Sequence, residues 1–204
     1  MELGETMKSN IECLLVIDVQ DTTINDEKPE WGLTLRKVRQ TVPRIEYIVN
    51  CFRKQEIPVI WAYTTPWTRE ILPRNMCKLY DENPAATFYS QGDMPKPIIT
   101  PRPTERIFRK NMPSAFGGTL YLGDTLEKYL KETNLSHITI CGFYGTGCVN
   151  ATIVEGFHRG FFFYILRDCI ETFDNEPKQH LQQLLMEEDW PYMYGHVLTS
   201  TELF

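Results

Sequence analysis

The stretch HITICGFYGTGCVNATIVEGFHRG (137–160) decides the fold. Its first part, HITICGF (137–143), is a short, mostly apolar run that reads as a strand buried on both faces. Gly142, Gly145 and Gly147 break the run, and CVNATIVEGFHRG (148–160) follows with helical character. FFFYILRD (161–168) then reads as another buried strand. A strand, a glycine turn, a helix and a second strand make a βαβ unit.

The alternation continues in both directions. ECLLVIDV (12–19) and IPVIWAY (57–63) read as the first two strands and ERIFRK (105–110) as a short third. Between the first two, Leu35, Val38, Val42, Ile45, Ile48, Val49 and Phe52 recur at helical spacing, with Pro43 expected to kink or split the helix. DTLEKYLKET (124–133) reads as a helix capped by Asp124, EPKQHLQQLLMEED (176–189) as another, and GHVLTS (195–200) as a last strand. The expected fold class is α/β: a three-layer sandwich with a mainly parallel sheet of about six strands, helices on both faces and right-handed crossovers. The 204 residues suit one domain spanning 1–204, which buries about 70% of its unfolded surface without needing a disulfide or metal.

One segment departs from the pattern. Residues 64–104 hold seven prolines together with Trp67, Tyr80, Phe88 and Tyr89. So long a connection reads equally as a lid over a site and as an insertion packed on the surface or on a neighbouring subunit.

Composition narrows the function. With 21 basic against 27 acidic residues the net charge is -6, which leaves no basic excess for nucleic acid. No apolar run approaches the ~20 residues that span a bilayer, and the polar N-terminus is no signal peptide. The six cysteines form no C-x-x-C pair, so reduced thiols in the cytoplasm are expected. The four histidines show no H-x-x-H or D-x-H pattern, and no metal or other cofactor is expected.

In a parallel sheet, ligands bind beyond the carboxyl ends of the strands near a switch in strand order. The residues there are Asp18, Thr64, Lys110, the segment 143–148 and Asp168. Cys148 begins a helix after a glycine turn, where the helix dipole is expected to lower its pKa and free amides to hold an anion. A nucleophilic thiol needs both; a small buried hydrophobe at a helix start is the plainer reading. The G-x-x-G-x-G of 142–147 has the wrong spacing and place for a dinucleotide loop. Asp18 is a candidate general base or the cap of a turn with Thr22 or Thr23. Lys110 is a candidate partner for its charge, or part of a solvated edge with Arg106 and Arg109.

Four segments together resemble the isochorismatase-like cysteine hydrolases: LLVIDVQD (14–21), PRPTERIFRKNMPSAF (101–116), CGFYGTGCVNAT (141–152) and GFFFYILRD (160–168). The resemblance covers nearly the whole chain and implies that family's Rossmann-like sandwich. It also implies Asp18 as general base, Lys110 as its cationic partner and Cys148 as nucleophile. A cis peptide between Phe143 and Tyr144 would bring the amides of Tyr144 and Cys148 together as an oxyanion hole. Family members that hydrolyse nicotinamide bind a metal through D-x-H and a further histidine. This chain has no histidine from 64 to 104, so that activity is disfavoured. Members that cleave the vinyl ether of isochorismate generally lack the cysteine. Its presence favours attack on an acyl or amidine-like carbon.

The resemblance thus implies a metal-independent hydrolase of a C–N bond in a small molecule, working through a thioester. The alternatives are a vinyl-ether hydrolase using Asp18 as acid, and a non-catalytic binding protein or scaffold of the same fold. Gln20, Trp67, Phe88, Phe116, Phe143 and Tyr144 are candidates for the substrate pocket, with core packing the competing role for the aromatics. GGTLYLG (117–123) is expected to reshape the pocket edge beside Phe116. Family members often assemble as homo-oligomers, so a dimer or tetramer is expected.

Overall fold

The structure is a computed structural model that describes residues 10–25, 27, 32–83, 89–90, 92–117 and 124–204. Six strands form one parallel sheet: β1 Cys13–Ile17, β2 Val59–Thr64, β3 Arg106–Lys110, β4 His137–Phe143, β5 Phe162–Glu171 and β6 Gly195–Leu198. Their order is β3-β2-β1-β4-β5-β6. The chain builds outward from β1 to β3, then crosses back to lay β4 against the other side of β1. The order reverses between β1 and β4, and in sheets of this kind ligands bind beyond the carboxyl ends at such a switch.

Alternation along the strands feeds two cores. Leu14, Val16, Trp61 and Tyr63 pack with the helix Arg36–Lys54, which buries Val38, Ile45, Ile48, Val49 and Phe52. Leu15, Ile17, Ile60 and Ala62 face the other way, toward Leu126, Leu130, Ile153 and Trp190. Each apolar side chain so buried contributes roughly 1.5–3 kcal/mol. No described helix is long and apolar enough to cross a membrane.

Several expectations need correction. Pro43 does not split its helix, which runs unbroken from Arg36 to Lys54. Pro43 and Arg39 are both exposed, so water can serve the carbonyl that loses its partner. The helix after residue 124 is capped by Thr125, whose side chain accepts from Lys128 N, while Asp124 pairs with the Lys128 ammonium. Segment 64–104 is not irregular throughout, since Arg74–Glu82 is a helix that buries Met76 and Tyr80.

Asp168 is not a strand-end residue of the crevice. Paired positions run from Ile140↔Ile165 to Gly142↔Ile170, so β5 takes five steps where β4 takes two. The looped-out residues turn Asp168 toward Ser200, whose N–H donates at 2.8 Å, and toward the guanidinium of Arg44 at 2.9 Å. The carboxylate is spent on holding the last helix, Ser200–Leu203, to the sheet.

Candidate active site

Asp18 follows β1 with φ 52°, in the left-handed region that aspartate tolerates better than bulky residues. Its N–H still reaches Ala62 O at 2.8 Å, and the N–H of Gln20 returns to Asp18 O at 2.9 Å. The residue is 2% exposed. Oδ1 accepts the Thr64 N–H at 3.0 Å, and Oδ2 lies 2.8 Å from Lys110 Nζ. Lys110 is paired in register with Thr64 and is also 2% exposed. Its ammonium donates to Met112 O at 3.3 Å as well. Burial works against that charge, but Asp18 and Cys148 outweigh it and hold the ammonium above the usual lysine value. The solvated-edge reading of Lys110 is therefore excluded.

Cys148 arrives from β4. The Phe143–Tyr144 peptide bond is cis. Gly145–Val149 forms a turn wider than an α-turn, broken at Gly147, and the α-helix proper runs Asn150–His158. The N–H groups of Gly147 and Val149 share Tyr144 O at 2.9 and 3.1 Å. Thr152 Oγ1 donates to Cys148 O at 2.7 Å and accepts the Ala115 N–H at 3.0 Å, tying the nucleophile's turn to the segment after Lys110.

Gly142 makes the approach possible. A Cβ there would stand 2.1 Å from Ile17 O, so only glycine lets the end of β4 lie against the end of β1. The thiol of Cys148 lies close enough to Asp18 and Lys110 for both charges to act on it.

The expected lowering of the thiol's pKa is overturned. Burial pushes Cys148 up to about 12; Lys110 pulls it down, and Asp18 pushes it further up. The helix begins two residues after Cys148, and desolvation outweighs any help from its dipole.

The pocket candidates divide. Gln20 is buried beside Asp18, with Nε2 donating to the hydroxyls of Thr22 and Thr64. Tyr144 stacks on Phe173 with ring centroids 4.3 Å apart, and its hydroxyl donates to Thr23 O. Trp67 is half-buried and packs with Leu72, Met76, Tyr80 and Met112. Phe143 is core, fully buried on the face of the Arg36–Lys54 helix. Phe116 is also core: it stacks on Phe161 at 5.2 Å and abuts Gly156, about two helical turns from Cys148. Phe88 and residues 118–123 lie outside the described residues.

Thr64, one of the expected strand-end residues, joins Asp18 through its N–H and Gln20 through its hydroxyl. One residue of the site was missed. Tyr80 is buried close enough to Cys148 that the thiol adds to the effect of burial in pushing its hydroxyl up to about 12. Pro73 followed by Met76 and Tyr80 one turn apart was the signal for its helix. Among the described residues, no group of three or more His, Cys, Asp or Glu side chains could hold a metal ion.

A family model described as the isochorismatase domain matches residues 12–202. An uncharacterized isochorismatase family protein of Bacillus subtilis is 23% identical over 159 residues, covering 78% of this chain and 77% of that protein. A cysteine hydrolase from Pseudomonas syringae pv. phaseolicola superposes with TM-score 0.74 at 18% identity, over 100% of this chain and 93% of that one. N-carbamoylsarcosine amidase from Thermoplasma acidophilum superposes with TM-score 0.65 at 16% identity, over 92% and 95% of the two chains.

Proposed function

The chain belongs to the isochorismatase family, and from that premise we propose that it is a metal-independent cysteine hydrolase that cleaves the C–N bond of a small amide-type substrate. The observation that carries this reading is the buried Asp18–Lys110 ion pair at the switch in strand order, with Cys148 near enough to feel both charges. A solved neighbour named as an amidase supports the C–N bond as target.

Because burial disfavours a free thiolate, attack and deprotonation belong to one step. Asp18 takes the proton from Cys148 as the sulfur attacks the carbonyl carbon. The developing oxyanion is assigned to the backbone amides of Tyr144 and Cys148, whose stabilisation in a dry site is worth far more than in water. The C–N bond breaks with its electrons on nitrogen, which takes the proton from Asp18. Water then attacks the thioester and gives a proton to Asp18. The C–S bond breaks, and the sulfur recovers its hydrogen.

Lys110 keeps the carboxylate charged and oriented between these transfers. Tyr80, brought in by the helix Arg74–Glu82, supports the reading of 64–104 as a cover for the site. The test is ammonia or amine release from a panel of small amides, ureas and carbamates, with Cys148→Ala as blank and mass detection of an acyl group on Cys148. More than a few per cent of wild-type turnover in Cys148→Ala would end the thioester mechanism. EDTA is expected to leave the rate unchanged.

A further inference from the structure

One oxygen of Glu171 gathers three N–H donors. Its Oε1 accepts from the Thr172 backbone at 2.8 Å, from Gln179 Nε2 at 2.8 Å and from Gln182 Nε2 at 2.9 Å. Glu171 ends β5 in register with Phe143, the last residue of β4, so these groups collect beside the turn that leads to Cys148. The two glutamines lie three residues apart on the helix Glu176–Leu184, on one face of it. A carboxylate only accepts, so both carboxamides must turn their nitrogens toward Glu171. Gln179 is fixed from its other end as well, where Oε1 accepts from Lys37 Nζ at 2.6 Å.

The three donors lead to three different residues of the turn. Thr172 is fully buried, and its hydroxyl lies 2.8 Å from that of Thr146. Gln179 Nε2 also donates to Phe173 O at 3.0 Å, and the Phe173 ring stacks on Tyr144 at 4.3 Å. Gln182 Oε1, buried and without a partner among the described residues, presses on Gly145, where an added Cβ would stand 2.0 Å from it. Three consecutive residues, Tyr144, Gly145 and Thr146, are thus each backed by a group that Glu171 holds. A buried acceptor with no donor calls for an account, and bracing the turn supplies one.

We propose that Glu171 is a positioning residue, which through Thr172, Gln179 and Gln182 braces 144–146 so that the amides of Tyr144 and Cys148 stay aimed at the oxyanion. This rests on the reading of Cys148 as nucleophile and deepens it. Glu171 acts only through its neighbours, and its effect is confined to steps in which negative charge develops on a carbonyl oxygen. Donors fixed in advance help most there, and a misplacement of about 1 Å can cost about a hundredfold. Attack of the same thiol on a saturated carbon forms no oxyanion and makes no call on those amides.

The test compares two reagents on Cys148. With p-nitrophenyl acetate the sulfur attacks the acetyl carbonyl, the thiol proton passes to Asp18, and the C–O bond breaks with its electrons on p-nitrophenolate. With iodoacetamide the sulfur displaces iodide from a saturated carbon. Acylation is read as the p-nitrophenolate burst that Cys148→Ala lacks, and alkylation as mass added to the Cys148 peptide. The acylation-to-alkylation ratio is expected to exceed that of N-acetylcysteine in the wild type. It should fall about tenfold or more in Glu171→Leu, which strands three donors, and in Gln182→Glu, which sets one carboxylate against another. The pair Glu171→Gln with Gln182→Glu exchanges donor and acceptor and should recover the ratio to within about threefold. Where Glu171→Leu does not fold, Gln182→Glu and the pair decide. An unchanged ratio in a folded single variant, or a fall that the pair does not recover, overturns the proposal. A wild-type ratio no higher than that of N-acetylcysteine sinks the oxyanion reading itself, whereas a raised wild-type ratio that the variants leave alone sinks only the role given to Glu171.

Discussion

Replacing Lys110 by methionine removes a buried charge while keeping most of the side chain's length. The ammonium stands 2.8 Å from Asp18 Oδ2 and donates to Met112 O. In Lys110→Met the carboxylate keeps the Thr64 N–H but no cation at hand. Breaking a buried ion pair from one side costs about 3–5 kcal/mol, because a charge is stranded. Methionine packs well against the apolar surroundings, so a loss near the lower end, about 3 kcal/mol, is expected at neutral pH. The sign with pH follows from the ammonium's raised pKa. Its contribution is fully present below the unfolded value of about 10.4 and is lost as pH rises through the higher folded value, so the gap to wild type should narrow only in strong alkali. Lys110 also opposes the effect of burial on Cys148, so the variant's thiol should react more slowly with iodoacetamide. Turnover should fall about hundredfold or more, the usual order for a positioned acid–base element. Urea unfolding, alkylation followed by mass, and ammonia release supply the three measurements. A stability change under about 0.5 kcal/mol with unaltered alkylation would refute the reasoning about the ion pair. Lys110→Arg should rescue poorly, since a planar guanidinium does not fit the place of a compact ammonium.

Alkylation of Cys148 in the resting protein should climb steadily from pH 7 to pH 10, because burial pushes the thiol up to about 12; a plateau with a midpoint below pH 8 would contradict this. Cys13, Cys141 and Cys169 are likewise raised by burial. Unfolded thiols ionise near pH 8.5 while the folded ones keep their protons, so stability present below that pH should fall above it by about 1.4 kcal/mol per pH unit for each thiol. Comparing the urea-unfolding slope of Cys141→Ala with wild type between pH 9 and 10 checks it, and identical slopes would count against it. Gly142→Ala, at φ 119° with Ile17 O only 2.1 Å from the new methyl, should cost more than about 2 kcal/mol and depress turnover by parting β4 from β1. Wild-type melting of that variant would show that the two strands have room to spare.

Much of the site could be read from the chain because its members sit where strands end. Asp18 closes an apolar run that could only be buried, Lys110 ends a short and mostly polar strand, and Cys148 follows a glycine turn whose geometry is local. What escaped depends on contacts distant in sequence. Asp168 also closes an apolar run, yet the extra residues on β5 carry it to Ser200 and Arg44, and no local pattern announces a register shift. Phe116 was a pocket candidate for its closeness to the proposed nucleophile, but its ring lies with Phe163 in the space that Gly156 leaves open. Tyr80 stayed hidden behind prolines that obscured a nine-residue helix. The behaviour of the Cys148 thiol depends on desolvation, which belongs to the folded surroundings and not to the residue's place on a helix.

The hydrogen bond from the Thr64 amide to Asp18 Oδ1 makes that amide a built-in gauge of charge. An amide proton is deshielded by the carboxylate it touches, so its NMR frequency should move whenever Asp18 gains or loses a proton. Thr64 ends β2, and its N–H is bonded to a buried carboxylate, so its signal should persist when loop amides have exchanged away. A single ¹⁵N label on threonine would then let the proton be followed on and off Asp18 during acylation, with no chromophore on the substrate.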